Sequence, residues 1–115
     1  MSVTAEGLAK KHCKPCEGGV PPLPAAEVKA HLAALPNWQL TDDGKMIRRK
    51  YKFKDFASAL AFLQKVGDVA EAEQHHPDLH LTAYLNAAVD LTTHAVGGLS
   101  ENDFVLATKI DQLSA

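Results

Sequence analysis

From Asp55 to Glu73 apolar residues recur at helical spacing: Phe56, Leu60, Leu63, Val66 and Ala70, with Phe62 and Val69 beside them. Recurrence at three and four residues marks one apolar face of a long helix. Gly67 sits inside the run and weakens it slightly. The far end is set by chemistry as well. Pro77 disfavours helical backbone at His76, so the helix should stop near His75. A one-sided helix of this length gets most of its stability by covering another apolar surface. The rest of the chain must supply that surface.

Two pairs of short strands do so. Trp38–Leu40 and Lys45–Phe53 flank TDDGK, where Asp43-Gly44 is a strong hairpin turn. In the longer strand Ile47, Arg49, Tyr51 and Phe53 alternate with Met46, Arg48, Lys50 and Lys52, and the first set faces the core. A second pair is expected at about Leu79–Tyr84 and Ala88–Thr93. There Val89, Leu91 and Thr93 share one face and Asp90 and Thr92 the other, which His94 joins if the strand extends that far. A first helix is expected over Ala25–Leu35, with Pro24 in its opening turn and Val28, Leu32 and Leu35 on one face. A last helix should run from Ser100, its N-cap, to about Leu113, with Leu106, Ile110 and Leu113 as its stripe. The order is α-β-β-α-β-β-α. The expected fold is α+β: one four-stranded antiparallel sheet with three helices packed on one face. Arg48, Lys50, Lys52, Thr82 and Thr92 suit the open face.

The domain is expected over residues 25–115, preceded by an extended N-terminal arm over 1–24. CKPCEGGVPPLP within that arm cannot form a regular helix or a central strand. A net charge of −2 gives no electrostatic footprint for nucleic acid. No run approaches the roughly 20 apolar residues of a membrane-spanning helix. MSVTAEGLAKKH lacks the apolar core of a secretory signal. Two close cysteines do not make a disulfide framework. The expectation is a cytoplasmic protein with reduced thiols.

EQHHPDLH places three of the chain's six histidines within six positions. Metal ligation is the obvious reading, but the local geometry opposes it. His75 and His76 are adjacent at a helix end and diverge. His76 and His80 are four apart, yet Pro77 breaks the helix that would align them. The bland reading is a histidine favoured by the dipole at a helix C-terminus. Imidazoles also titrate near neutral pH, at about 6.5, so a group of them can give and take protons. Asp103 has a bland reading too, since SEND (100–103) spells a capping box. Glu71 and Glu73 read as solvated helix charges, and Tyr84 as a strand aromatic.

Read together, these residues form a longer pattern. Glu71 is followed after three residues by His75-His76-Pro77, after six by Tyr84, after nine by His94 and after eight by Asp103. This resembles the signature of the pterin-4a-carbinolamine dehydratases. FKDF (53–56) and GLSENDF (98–104) also resemble that family, and the likeness runs from about residue 25 to 113. The resemblance implies dehydration of 4a-hydroxytetrahydropterin to quinonoid dihydropterin, in tetrahydropterin recycling. It implies His75, His76, His94 and Asp103 as catalytic residues, with Glu71, Pro77 and Tyr84 binding substrate. It also implies no metal or organic cofactor, and a homodimer or homotetramer with sheets joined edge to edge. His80 lies outside the pattern and is expected at the surface or the pocket rim.

The same resemblance brings a rival class. Some relatives are binding proteins: one stabilises dimers of a transcription factor, and others assist RuBisCO assembly. A protein partner, RuBisCO or a hydroxylase, therefore stands beside the pterin substrate. The stretch HCKPCEGG has its own two readings. Cys13-x-x-Cys16 with His12 is either half of a zinc site or part of a surface arm with two thiols.

Overall fold

Alternation along four strands creates the surface that the helices need. The strands are β1 (Gln39–Leu40), β2 (Ile47–Lys52), β3 (Asp78–Thr82) and β4 (Asn86–Leu91). In the computed structural model, which describes residues 4–13 and 21–113, they form one antiparallel sheet in the order β1-β2-β4-β3. The register pairs Ile47 with Leu91, Arg49 with Val89 and Tyr51 with Ala87. Ile47, Val89 and Leu91 are completely buried, so this face is the core face. The DG hairpin forms as expected. Gly44 takes a positive φ of 72°, and Asp43 Oδ1 accepts from the Lys45 N–H (3.0 Å) and the Thr41 hydroxyl (2.7 Å).

The helices are α1 (Ala5–Ala9), α2 (Ala25–Ala33), α3 (Phe56–Glu73) and α4 (Glu101–Asp111). The fold is the expected α+β arrangement, with α2, α3 and α4 against one face of the sheet. Asp55 caps α3 by accepting the Ser58 N–H at 2.8 Å. Ala59, Phe62, Leu63, Val66 and Ala70 are its buried side.

Several expectations need correction. The first segment is not wholly extended. Thr4 Oγ1 accepts the Gly7 N–H (3.0 Å) and starts the short helix α1, whose Leu8 is buried. Most of CKPCEGG lies outside the described residues. On α4 the expected narrow stripe is instead a nearly all-round buried surface, from Asn102 to Thr108 plus Ile110. The reason is tertiary: α1 and α3 pack on it, and His31 of α2 lies against Phe104 with ring centres 4.8 Å apart. Trp38 is not in β1, because its N–H closes a turn onto the Leu35 carbonyl (3.1 Å); its indole donates to Asp111 (2.9 Å). β3 stops at Thr82 because Ala83 and Tyr84 turn with φ of 46° and 54°. Phe56 and Leu60 belong to the expected stripe of α3 but are 50% exposed, since the sheet takes up only the side carrying Ala59, Phe62 and Val66.

The open face carries a charge cluster. Arg48 grips Asp90 with two bonds, Nε to Oδ1 at 2.5 Å and Nη2 to Oδ2 at 2.7 Å, and His80 Nε2 lies 2.9 Å from Oδ2. The Arg48 bonds hold the Asp90 carboxyl below the usual range, burial opposes them, and His80 adds to the lowering. A carboxylate depressed in the folded state stabilises the fold above its unfolded pKa, about 3.9, and that contribution fades as pH falls through the folded value. The stability gap between the wild type and Asp90→Asn should therefore be widest above about pH 4 and close progressively in more acid solution. Urea unfolding across that range measures it.

On the core face the Tyr51 ring packs on Phe62 (centres 4.6 Å apart) beneath the Arg49 guanidinium (4.5 Å). Its hydroxyl is buried with no hydrogen-bond partner among the described residues, and burial pushes the phenol pKa well up. A buried hydroxyl without a partner costs about 1–3 kcal/mol. Tyr51→Phe should thus raise the unfolding free energy by about 1 kcal/mol, read from denaturant midpoints at unchanged slope.

Candidate active site

The end of α3 delivers the adjacent histidines. Gln74 sits in the left-handed region (φ 53°, ψ 37°). Its N–H bonds the Glu71 carbonyl and the His75 N–H bonds the Ala70 carbonyl, both at 3.2 Å, which is the paired pattern of a Schellman stop. A non-glycine residue held there costs on the order of 1–3 kcal/mol. The Gln74 amide offsets part of this by bonding the Glu71 carbonyl (2.8 Å) and carboxylate (3.1 Å). Pro77 then keeps the chain out of helix and leads it into β3.

His75 turns inward. Its Nε2 lies 2.6 Å from Asp103 Oδ1, and the Asp103 side chain has no solvent exposure. The other oxygen, Oδ2, accepts from the Thr93 hydroxyl (2.8 Å) and the Ser100 N–H (2.9 Å). Asp103 therefore caps α4 with one oxygen, as the capping box predicts, and holds a histidine with the other. A carboxylate only accepts. Nε2 then carries the proton, and Nδ1 is the ring atom left to receive one.

His76 is more exposed. Its Nε2 lies 2.9 Å from Glu71 Oε2, and this bond, then that of Gln74, holds the Glu71 carboxyl below its ordinary value. His94 is not on a strand, as β4 ends at Leu91. It opens a 3-10 turn, His94–Val96, that Gly97 closes at φ 70°. His75, His76 and His94 line one cavity of about 730 Å³, with Thr93 and Asn102 in its wall. That volume suits a small heteroaromatic ligand.

The other expected site residues fall elsewhere. Glu71 reaches the cavity only through His76, and Pro77 acts through the direction it gives the chain. Neither is in the wall, and nor is Tyr84, which is 64% exposed in the turn between β3 and β4. The positive φ that makes that hairpin takes Tyr84 out of the strand. His80 belongs to the Arg48–Asp90 cluster on the open face, not to this cavity.

Two wall residues come from the N-terminal segment, His12 and Cys13. Glu73, expected to be solvated, has a side chain only 10% exposed. It accepts the Cys13 N–H (2.8 Å) and faces His12 Nδ1 (3.0 Å) and Lys109 Nζ (4.0 Å). Burial pushes the Glu73 carboxyl up, but the His12 and Cys13 bonds and the Lys109 charge outweigh it, and the net shift is downward. The Cys13 thiol lies 3.6 Å from the Asn102 carbonyl. Cys16 is outside the described residues. Among the described residues no three His, Cys, Asp or Glu side chains gather as metal ligands would. The C-x-x-C stretch marks His12 and Cys13 but does not place them at this cavity, because their partners are about 60 to 90 residues away.

Four imidazoles, those of His12, His75, His76 and His94, line one cavity of this α+β protein, and a buried carboxylate holds that of His75. Comparison with known proteins makes that class specific. The sequence model of the family "Pterin 4 alpha carbinolamine dehydratase" matches residues 21–113. A relative from Halorhodospira halophila, provisionally named a pterin-4-alpha-carbinolamine dehydratase, is 47% identical over 94% of this chain and 98% of its own length. One from Methylococcus capsulatus with the same provisional name is 44% identical over 94% of each chain. The crystal structure of a transcriptional coactivator/pterin dehydratase from Brucella melitensis superposes with a TM-score of 0.72. It is 37% identical and covers 78% of this chain and 95% of that one. A pterin dehydratase-like protein, identified as a RuBisCO assembly factor in the alpha-carboxysome, shares the fold at a TM-score of 0.54 and 18% identity, over 65% of this chain and 86% of that one. The chain belongs to the pterin-4-alpha-carbinolamine dehydratase family. Among its described residues no helix is long and apolar enough to cross a membrane.

The Asp103 geometry makes a direct prediction. In Asp103→Asn the amide oxygen can still take the Ser100 and Thr93 donors while the NH2 faces His75. The His75 ring should then switch to the tautomer protonated at Nδ1, with the fold retained. Nitrogen-15 chemical shifts of the imidazole read the switch directly; an unchanged tautomer would contradict the assignment.

Proposed function

We propose that this protein dehydrates 4a-hydroxytetrahydropterin to quinonoid dihydropterin by histidine acid–base catalysis. The observation that carries the reading is the convergence of His75, His76 and His94 on one cavity, with His75 held by a buried Asp103. Family membership supports it.

The chemistry needs two proton movements. Hydroxide leaves poorly, so the oxygen on C4a takes a proton as the C4a–O bond breaks and water departs. N5 loses its proton, and the electron pair of that N–H bond forms the N5–C4a double bond. Each positioned acid or base typically contributes about 10²–10⁴-fold. His75, with Nε2–H directed at Asp103, offers Nδ1 as an acceptor for the N5 proton. His76 and His94 stand at the more open side, where a proton can be handed to the departing hydroxyl and regained from solvent. No cofactor is required by this balance. Tyr84 and Pro77 remain candidates for substrate contact by resemblance alone.

A homodimer or homotetramer is part of the same reading. β3 is an edge strand whose Leu79 is 40% exposed, and Phe56 and Leu60 lie half-exposed on α3. The reaction fits tetrahydropterin recycling in the cytoplasm, with a hydroxylase as the source of the carbinolamine. The rival is a dehydratase-like binding protein, with RuBisCO or a transcription factor as its partner.

The purified protein should accelerate loss of the 4a-carbinolamine, followed by ultraviolet absorbance. His76→Ala should lose about 10²-fold or more of that acceleration without loss of fold. Equal rates with and without the wild-type protein would sink the catalytic reading in favour of the binding one.

A further inference from the structure

The first segment of the chain has a use that the family pattern does not cover. α1 is anchored on α4 by buried Leu8, by Lys109 Nζ bonding the Ala9 carbonyl (3.1 Å) and by the Lys11–Glu101 pair (3.1 Å). These contacts alone would hold the segment down. The chain nevertheless continues to the mouth of the histidine cavity. There Glu73, two residues before His75, takes the Cys13 N–H on one carboxylate oxygen and His12 Nδ1 on the other. A carboxylate withdrawn from water this far needs such donors to be tolerated. The latch thus sits on the same helix end that presents the catalytic pair, and the residues it holds, His12 and Cys13, stand in the cavity wall.

We infer that the N-terminal segment is a wall of the substrate site: His12 contacts bound pterin, and Glu73 is the positioning residue that holds the wall in place. The inference rests on the dehydratase reading and deepens it. With Nδ1 on Glu73, the His12 ring presents Nε2 as its remaining polar atom. Reduced pterins carry several N–H groups on their rim for such a nitrogen to meet. The segment is then part of the catalytic unit, not an appendage to a domain that begins at residue 25.

The test uses the full chain carrying Cys16→Ser, so that Cys13 is its single thiol. The probe is 7,8-dihydrobiopterin, which lacks the 4a-hydroxyl and cannot be dehydrated. Alkylation of Cys13 by iodoacetamide should slow about fivefold or more at a pterin concentration about ten times its Kd, where only about one site in ten is free. Glu73→Gln, which keeps an acceptor for the Cys13 N–H, should retain that protection, and Glu73→Ala should lose it. His12→Ala should raise KM about fivefold with kcat changed far less. If the pterin shifts the ring signals of His75, His76 and His94 but leaves Cys13 alkylation and the His12→Ala KM unchanged, the wall is overturned and the dehydratase reading stands. If the pterin moves none of those ring signals, both fall together.

Discussion

One buried carboxylate organises this protein. Asp103 lies at the first turn of α4 with both oxygens occupied, His75 on one side and Thr93 and Ser100 on the other. A carboxylate moved out of water costs several kcal/mol unless donors replace the lost solvent, and the positive end of a helix dipole adds further stabilisation. Here the donors come from three places in the chain: the end of α3, the turn after β4 and the cap of α4. Satisfying Asp103 therefore closes the tertiary structure around the site. The residue that starts the last helix also sets which nitrogen of His75 carries a proton.

The site lies where elements end. α3 stops at a left-handed Gln74, and His75 and His76 follow it; β4 stops at Leu91, and His94 comes after a two-residue gap. Side chains on such segments can aim at a ligand in ways that a regular helix or strand forbids, while the packed core behind keeps them in place. The core is firm at this point. Val66, Ala70, Val89, Leu91, Phe104 and Leu106 are all essentially buried beneath the cavity elements. The strain at Gln74 is offset by its own amide bonds and by the Schellman pair. Glu73 repeats the logic of Asp103 on a smaller scale, with the N-terminal segment as the element it captures.

Separate carboxylates divide the histidines that look like one group in the sequence. Asp103 takes His75 into the cavity, and Asp90 takes His80 to the open face of the sheet beside Arg48. Pro77 and the alternation of β3 separate them. Apolar period and turn chemistry were enough to read the two hairpins and the helix that ends at the histidines, and the resemblance carried by the spacing from Glu71 to Asp103 pointed to His75, His76 and His94, which share one cavity. They were not enough for Tyr84, which positive φ turns out of β3. Nor did they predict the exposure of Phe56 and Leu60, since a helix's periodicity does not say how wide a face its neighbours cover. α4 reads as one narrow stripe, yet α1 and α2 bury its other sides.

By itself the sequence determined what local chemistry can determine. The DG turn sets the first hairpin, Pro77 keeps the chain from returning to helix after α3, alternation selects the core face of β2, and the family resemblance of a long spaced pattern points to His75, His76, His94 and Asp103. Only the tertiary structure decided which carboxylate meets which histidine, that Glu73 is withdrawn from solvent, and that His12 and Cys13 stand in the cavity wall. Those contacts join residues from 5 to about 90 positions apart. Their geometry follows from how the helices seat on the sheet, and no local spacing encodes that.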